Sequence, residues 1–225
     1  MNMAVSADAL ALERLYHWER TAPERVVLTQ PTGGGTVRDY TWREVLDQTR
    51  RMAAHLLAFG LQPGDRVAIL AKNSAHWLIA DFAIQMAGGV SVPLSSQQTP
   101  REWEHILDDS QATEAVVAPE HAEALGPLAA AKRIRITSTD VVVAALQPEP
   151  FAWPSIPAIG PERRALMLYT SGTTSRPKGV VLSHANLTAQ VECLAAAWEW
   201  RPDDRALHVL PLNHTHGVIN VLACV

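Results

Sequence analysis

Short β-branched runs alternate with capped helical segments along most of this chain, and that alternation restricts its fold more than any other feature. Val26 to Thr29, Arg66 to Ala71, Val90 to Leu94, Ala115 to Ala118, Ile134 to Thr137 and Ala165 to Tyr169 read as strands. An amphipathic helix precedes the first of them. Thr41-Trp42-Arg43-Glu44 is a capping box that opens a helix running to Phe59 and closing at Gly60. A Pro63-Gly64-Asp65 turn leads into the next strand, and Ser74 caps a helix reaching about Ala87. Thr99-Pro100-Arg101-Glu102 is a second capping box, with proline at the favoured first helical position, and a further helix spans about Glu120 to Ala131. Strands joined through helices need crossovers, so the expected fold is α/β, a mainly parallel sheet flanked by helices.

Composition narrows the function. Of 225 residues, 48% are apolar, enough for a sizeable core. The net charge of -4, with acidic and basic residues interspersed, provides neither a basic face for nucleic acid nor a polybasic stretch for anionic lipid, so a small-molecule substrate is expected. No run approaches the ~18 apolar residues of a membrane span. Asp8 and Glu13 interrupt the N-terminal stretch that a targeting peptide would need, which points to a cytoplasmic protein. Cys193 and Cys224 fit no CxxC or Cys/His ligand pattern and read as core thiols in a reducing compartment. Nothing in the pattern specifies an oligomeric state.

The chemistry concentrates in YTSGTTSRPKGVVLSHANL, Tyr169 to Leu187. Thr170, Ser171, Thr173, Thr174 and Ser175 each offer a hydroxyl donor. Gly172 and Gly179 let backbone N–H groups approach an anion, and Lys178 adds a cation. Such a turn is suited to phosphate. From Gly172 to Lys178 the spacing matches the Walker loop GxxxxGK(S/T), but Pro177 stands at its second glycine and Gly179 at its magnesium-binding hydroxyl. Val180 to Leu182 resumes an apolar β-type run, so the loop is expected to join two strands, with a helix starting only near Ser183.

This segment resembles the nucleotide-binding signature of the adenylate-forming enzymes, the superfamily of acyl-CoA synthetases, luciferases and peptide-synthetase adenylation domains, which usually read YTSGTTGxPKGV. The departure is Ser175, where most members carry glycine. If that glycine supplies a positive φ, the serine costs about 1 kcal/mol of local strain. Tyr40-Thr41-Trp42-Arg43-Glu44-Val45 and Ala87-Gly88-Gly89-Val90-Ser91-Val92-Pro93-Leu94 resemble two earlier boxes of the same superfamily, both explained by capping and strand packing. Leu210-Pro211-Leu212-Asn213-His214-Thr215-His216-Gly217 resembles its PLFHxxG segment and places His214 on that motif's histidine, beside the acyl carboxylate and α-phosphate. Without the neighbouring signature, His214 and His216 read as strand-end histidines bonded to backbone. Their HxH spacing also fits a zinc pair, for which no third ligand is in view, so no metal site is assigned. Within the superfamily, DDRALHVLPLNHTHGVINVLACV is similar to the LHxLPLxHxHGxxN pattern of the malonyl-CoA synthetases.

The resemblance implies a two-step reaction. A carboxylate attacks the α-phosphate of ATP to give acyl-adenylate and pyrophosphate, and the thiol of CoA then displaces AMP. Lys178 and His214 are the implied catalytic residues. Thr170, Ser171, Gly172, Thr173, Thr174, Ser175, Lys178 and Gly179 are the implied nucleotide-binding set. ATP, Mg2+, CoA and a short carboxylic acid such as malonate are the implied ligands. The alternatives are a ligase for a fatty acid or another carboxylic acid, and a non-catalytic nucleotide-binding module built on this scaffold. An amino-acid adenylation domain is disfavoured by the PLNHTHG segment.

The whole of 1–225 is expected to be an incomplete N-terminal part of the large AMP-binding domain, with the C-terminal lid domain absent. The apolar run Gly217 to Val225 ends without a cap or polar last turn, which suits the first part of a longer enzyme inactive by itself. Five of the chain's 15 prolines fall between Gln147 and Pro161. That stretch either divides the chain into 1–146 and 162–225 or forms a fixed surface crossing.

Overall fold

The computed structural model describes residues 10–140, 157–170 and 176–221. Six strands form one sheet in the order β6-β5-β3-β4-β7-β8. They are β3 (Arg66–Leu70), β4 (Val90–Pro93), β5 (Glu114–Val117), β6 (Arg135–Ser138), β7 (Arg164–Thr170) and β8 (Lys178–Ser183). The first five in chain order run parallel to their neighbours, with Val67 opposite Ser91 and Val116 opposite Thr137. β8 departs from the parallel rule: it folds back antiparallel on β7 and closes one edge. The expected mainly parallel α/β sheet is therefore present, and β7 and β8 are the two strands that the polar loop joins.

Both faces of this sheet are covered, which is why VAIL (67–70) and AVV (115–117) are apolar without alternation. Val67 and Ile69 enter one core together with Val116, Leu166 and Leu168. Ala68 and Leu70 point the opposite way, with Val92, Ala115 and Val117, into a second core. Against the first core pack α2 (Trp42–Ala58), α3 (Ala75–Met86) and, more peripherally, α1 (Ala11–Thr21). Against the second pack α4 (Pro100–Ser110) and α5 (Pro119–Lys132), through Trp103, Ile106, Leu107, Leu125 and Ala129. Leu56, Ile69, Ile79 and Ile84 have no exposed surface, and each such side chain contributes about 1.5–3 kcal/mol on burial.

The helices start where the sequence places their caps. The Thr41 and Thr99 hydroxyls accept from the N–H groups of Glu44 and Glu102, and both carboxylates return to the threonine N–H, at 2.8 and 2.7 Å. Ser74 accepts from Trp77 N–H at 3.1 Å. Ser183 opens α6 (His184–Ala197) in the same manner, with Asn186 reciprocating.

Three features differ from the sequence expectation. The first strand, β1 (Val26–Gly33), is longer than read and pairs antiparallel with an unforeseen β2 (Thr36–Thr41) across a two-residue Gly34-Gly35 turn. Most of β2 is exposed, so it lacks the apolar pattern by which the other strands were found. Cys193 is exposed, correcting its reading as a core thiol. α6 buries only His184, Leu187, Thr188 and Val191, a stripe of helical spacing that leaves Cys193 outside it. Finally, the apolar run after Gly217 takes a π-helical turn over His216–Val221, placing Val218 and Ile219 in the first core. Cys224, residues 141–156 and the prolines within them lie outside the described residues.

Buried charge is handled locally. Glu114 on β5 is fully buried and accepts from Thr137 Oγ1 at 3.0 Å and Arg135 Nη2 at 3.2 Å on β6. Asp81 on α3 accepts from Gln85 Nε2 at 2.9 Å, and burial pushes its carboxyl up to about 6. Burial, reinforced by the nearby Arg163 charge, lowers His184 to about 4, so this helix-start histidine stays neutral at physiological pH.

Candidate active site

In an open parallel sheet, ligands bind beyond the carboxyl ends of strands whose following helices diverge to opposite faces. Here those strands are β3 and β4. The helix after β3 is α3, in the first core, and the helix after β4 is α4, in the second. A cleft of about 180 Å3 lies at this point. Ala71, Lys72 and Asn73, immediately after β3, form one wall, and Leu94 to Gln97, immediately after β4, form another. Val209 and Pro211 to His214 complete it. Thus the PLNH segment reaches the place where the topology opens a crevice.

Asn73 holds it there. Its Nδ2 donates to the Leu210 carbonyl at 2.6 Å, and its Oδ1 accepts from Leu212 N–H at 3.1 Å, so one side chain bonds backbone on both sides of Pro211. The turn beyond is tight: His214 N–H donates to the Pro211 carbonyl at 3.2 Å. A Cβ on Gly217 would run into the Pro211 carbonyl oxygen, so glycine is what allows the turn to fold back on itself. Leu212 is buried, whereas His214 and His216 are exposed, and His214 faces the cleft. His216 Nδ1 meets Asn220 Nδ2 at 3.3 Å, and since that amide nitrogen only donates, Nδ1 is the acceptor.

The charge of this cleft has one sign. Lys72 and His214 are its ionisable lining groups, and among the described residues no Asp or Glu lines it. Such a surface suits an anion. No three His, Cys, Asp or Glu side chains converge as metal ligands among the described residues, so the HxH pair gains no third ligand there.

β7 is parallel to β4, so its carboxyl end emerges at the same edge of the sheet. Thr170, the last residue of β7, is paired across the hairpin with Lys178, the first residue of β8, and both are exposed. The two ends of the polar loop are thereby fixed side by side. Ser171, Gly172, Thr173, Thr174 and Ser175 lie outside the described residues. Gly179 faces Tyr169 in the ladder, and a Cβ on it would meet the Met167 side chain and the Tyr169 ring, so its missing side chain also makes room within the hairpin.

Sequence inspection singled out Thr170, Lys178, Gly179 and His214, and the structure sets the first three on one hairpin end and the fourth in the neighbouring cleft. It did not single out Lys72 or Asn73. Their only sequence signal is position, directly after a buried strand of a parallel sheet.

Comparison with known proteins agrees with this fold. The family of AMP-binding enzymes matches residues 15–225. The mouse malonate-CoA ligase ACSF3, a mitochondrial protein, is 37% identical over 191 residues, 82% of this chain and 33% of the relative. A feruloyl-CoA synthase from Amycolatopsis is 38% identical over 80% of this chain and 35% of its own length. The crystal structure of ATP-bound MatB from Rhodopseudomonas palustris superposes with a TM-score of 0.83 at 30% identity, covering 98% of this chain and 43% of that one. The chain thus spans about a third of the length of these curated relatives.

Proposed function

From the premise that this chain belongs to the AMP-binding enzymes, we propose that it is the N-terminal portion of an ATP-dependent acid-CoA ligase acting on malonate or a similar short acid. The observation that carries this reading is the pairing of Thr170 with Lys178 at the sheet edge that also holds the anion-suited cleft. ATP, CoA and a carboxylic acid are the substrates, and a cytoplasmic setting belongs to the same reading; no helix among the described residues is long and apolar enough to cross a membrane.

In this reading the hydroxyls and N–H groups between Thr170 and Gly179 hold the β- and γ-phosphates. Lys178 compensates the charge that develops as pyrophosphate leaves. Hydrogen bonds to charged groups contribute roughly 1.5–3 kcal/mol each, so several converging donors retain a triphosphate. His214, at the cleft wall, donates to the oxyanion formed when the carboxylate attacks the α-phosphate. Lys72 draws the acid into the cleft by charge. Mg2+ enters with ATP as part of the substrate and offsets the charge of its phosphates. The thiol of CoA then displaces AMP and leaves the thioester. Residues 1–225 lack the remaining two thirds of the relatives' length, and they are predicted to complete neither step alone.

The test is acid-dependent exchange of pyrophosphate into ATP by the full-length protein, followed by thioester formation. Lys178→Ala lowers the exchange rate by about 10^2- to 10^3-fold, in the range found for loss of one charge-stabilising donor, with folding retained. Exchange at the wild-type rate in that variant refutes the role of Lys178. A second reading, a ligase for an aromatic acid, is favoured by the similarity to the feruloyl-CoA synthase. Profiling malonate, methylmalonate, short fatty acids and aromatic acids decides between the two, and preference for an aromatic acid removes malonate.

A further inference from the structure

The polar-loop end of the β7–β8 hairpin lies at one edge of the sheet. β8 is the edge strand, and the ladder joining β7 to β4 pairs Ser91 with Leu166, near the start of β7. Tyr169, Thr170, Lys178 and Gly179 therefore project beyond that pairing. Tyr169 is itself buried in the second core, and the exposed Thr170 and Lys178 beside it have a further support.

That support is α4. Asp109 Oδ2 accepts from the Tyr169 hydroxyl at 2.7 Å. His105 Nε2 meets the Pro177 carbonyl at 2.9 Å, and since a carbonyl only accepts, Nε2 carries the hydrogen. Residues 105 and 109 stand four apart on one helix face. The two bonds grip the two stems of the loop, Tyr169 before it and Pro177 after it. The rings of His105 and Tyr169 also meet edge to face, with centroids 6.5 Å apart. On its other side the Tyr169 ring lies over the bare backbone of Gly179. Burial, with the Asp109 carboxylate as acceptor, raises the Tyr169 phenol well above its ordinary value and keeps it a donor.

We propose that His105 and Asp109 are positioning residues for adenylation, clamping both stems of the nucleotide loop to α4 so that Thr170 and Lys178 stay aligned on the polyphosphate. The functional part of this assignment rests on the ATP-binding reading of the loop. The clamp itself is a property of the folded chain. In this assignment α4 acts through Tyr169 and Pro177.

The test uses full-length protein and two readouts. In acid-dependent pyrophosphate exchange, His105→Ala and Asp109→Ala each raise KM for ATP about tenfold, equivalent to about 1.4 kcal/mol, while KM for the acid stays within twofold. His105→Gln keeps an N–H donor and Asp109→Asn keeps an acceptor, so each recovers to within threefold of wild type. Tyr169→Phe in the Asp109→Ala background adds nothing, because both remove one bond. Amide exchange over the peptide spanning 168–180, measured without nucleotide, quickens at least fivefold in both alanine variants and stays near wild type in α5.

An unchanged KM for ATP and unchanged amide exchange in the alanine variants overturn the clamp. So do conservative variants as impaired as alanine, or additive effects of Tyr169→Phe and Asp109→Ala. If the wild type shows no ATP-dependent exchange, the ligase reading falls, and amide exchange still decides whether α4 holds the stems. If the wild type is active and Lys178→Ala is not, while the α4 variants match wild type in both readouts, the clamp alone falls.

Discussion

Two stretches of backbone arrive at the carboxyl edge of the sheet, and they are secured by different means. The Tyr169–Gly179 arm is an end of a hairpin, tied to α4 by side chains, His105 and Asp109, that lie 72 and 60 residues upstream of the groups they hold. The Leu210–Gly217 arm belongs to no strand. It is tied by one amide, that of Asn73, and by the close approach of its own backbone at Gly217. The first arm is thus held by side chains, and the obstacle nearest Gly179 is the tip of the Met167 side chain. The second is tightly constrained, because backbone faces backbone.

The contrast is broken most directly at the two glycines. Gly217→Ala sets a methyl group against the Pro211 carbonyl, which cannot move without undoing the turn. Its expected cost is about 3 kcal/mol, at the upper end for overpacking, seen as a lower Tm together with loss of acid-dependent exchange. A fully stable and active Gly217→Ala protein would show that this arm is not constrained by close approach. Next in size is Asn73→Ala. Two hydrogen bonds contribute about 2 kcal/mol together, so KM for the acid is expected to rise roughly 10- to 30-fold with KM for ATP little changed. An equal rise in both constants would mean that Asn73 does not act on the His214 arm alone.

The smallest effect is expected at Gly179→Ala. Its nearest obstacle is the terminal methyl of Met167, which can swing away, so the cost is about 1 kcal/mol, and Met167→Ala in the same protein recovers part of it. Should Gly179→Ala prove as damaging as Gly217→Ala, with no recovery, the hairpin arm is as rigid as its neighbour and the comparison fails.

Much of this architecture was visible in the residues. The capping boxes at Thr41 and Thr99 located helix starts because their partners are three residues away, within reach of any local rule. The runs Arg66 to Ala71, Val90 to Leu94 and Ala115 to Ala118 announced strands, and each lies within a residue of an observed one. β2 escaped, since its exposed, polar face carries no apolar repeat and its partner is supplied only by the turn at Gly34-Gly35. Cys193 was misplaced for the opposite reason: α6 is apolar around much of its circumference, and composition alone does not say which stripe the sheet covers.

The site divides along the same line. Thr170, Lys178, Gly179 and His214 were legible because their motifs are contiguous, and contiguous residues carry their spacing with them. Lys72, Asn73, His105 and Asp109 belong to no motif and gain meaning only from neighbours distant in the chain. Sequence by itself determined the elements, their caps and the chemistry of the loop, since propensity, capping and donor placement are local interactions. Tertiary structure alone decided that α3 and α4 diverge to open a crevice between β3 and β4, and that one helix face grips both stems of the loop. Those outcomes depend on which apolar faces meet when the sheet is covered, a global packing problem that no short stretch of chain contains.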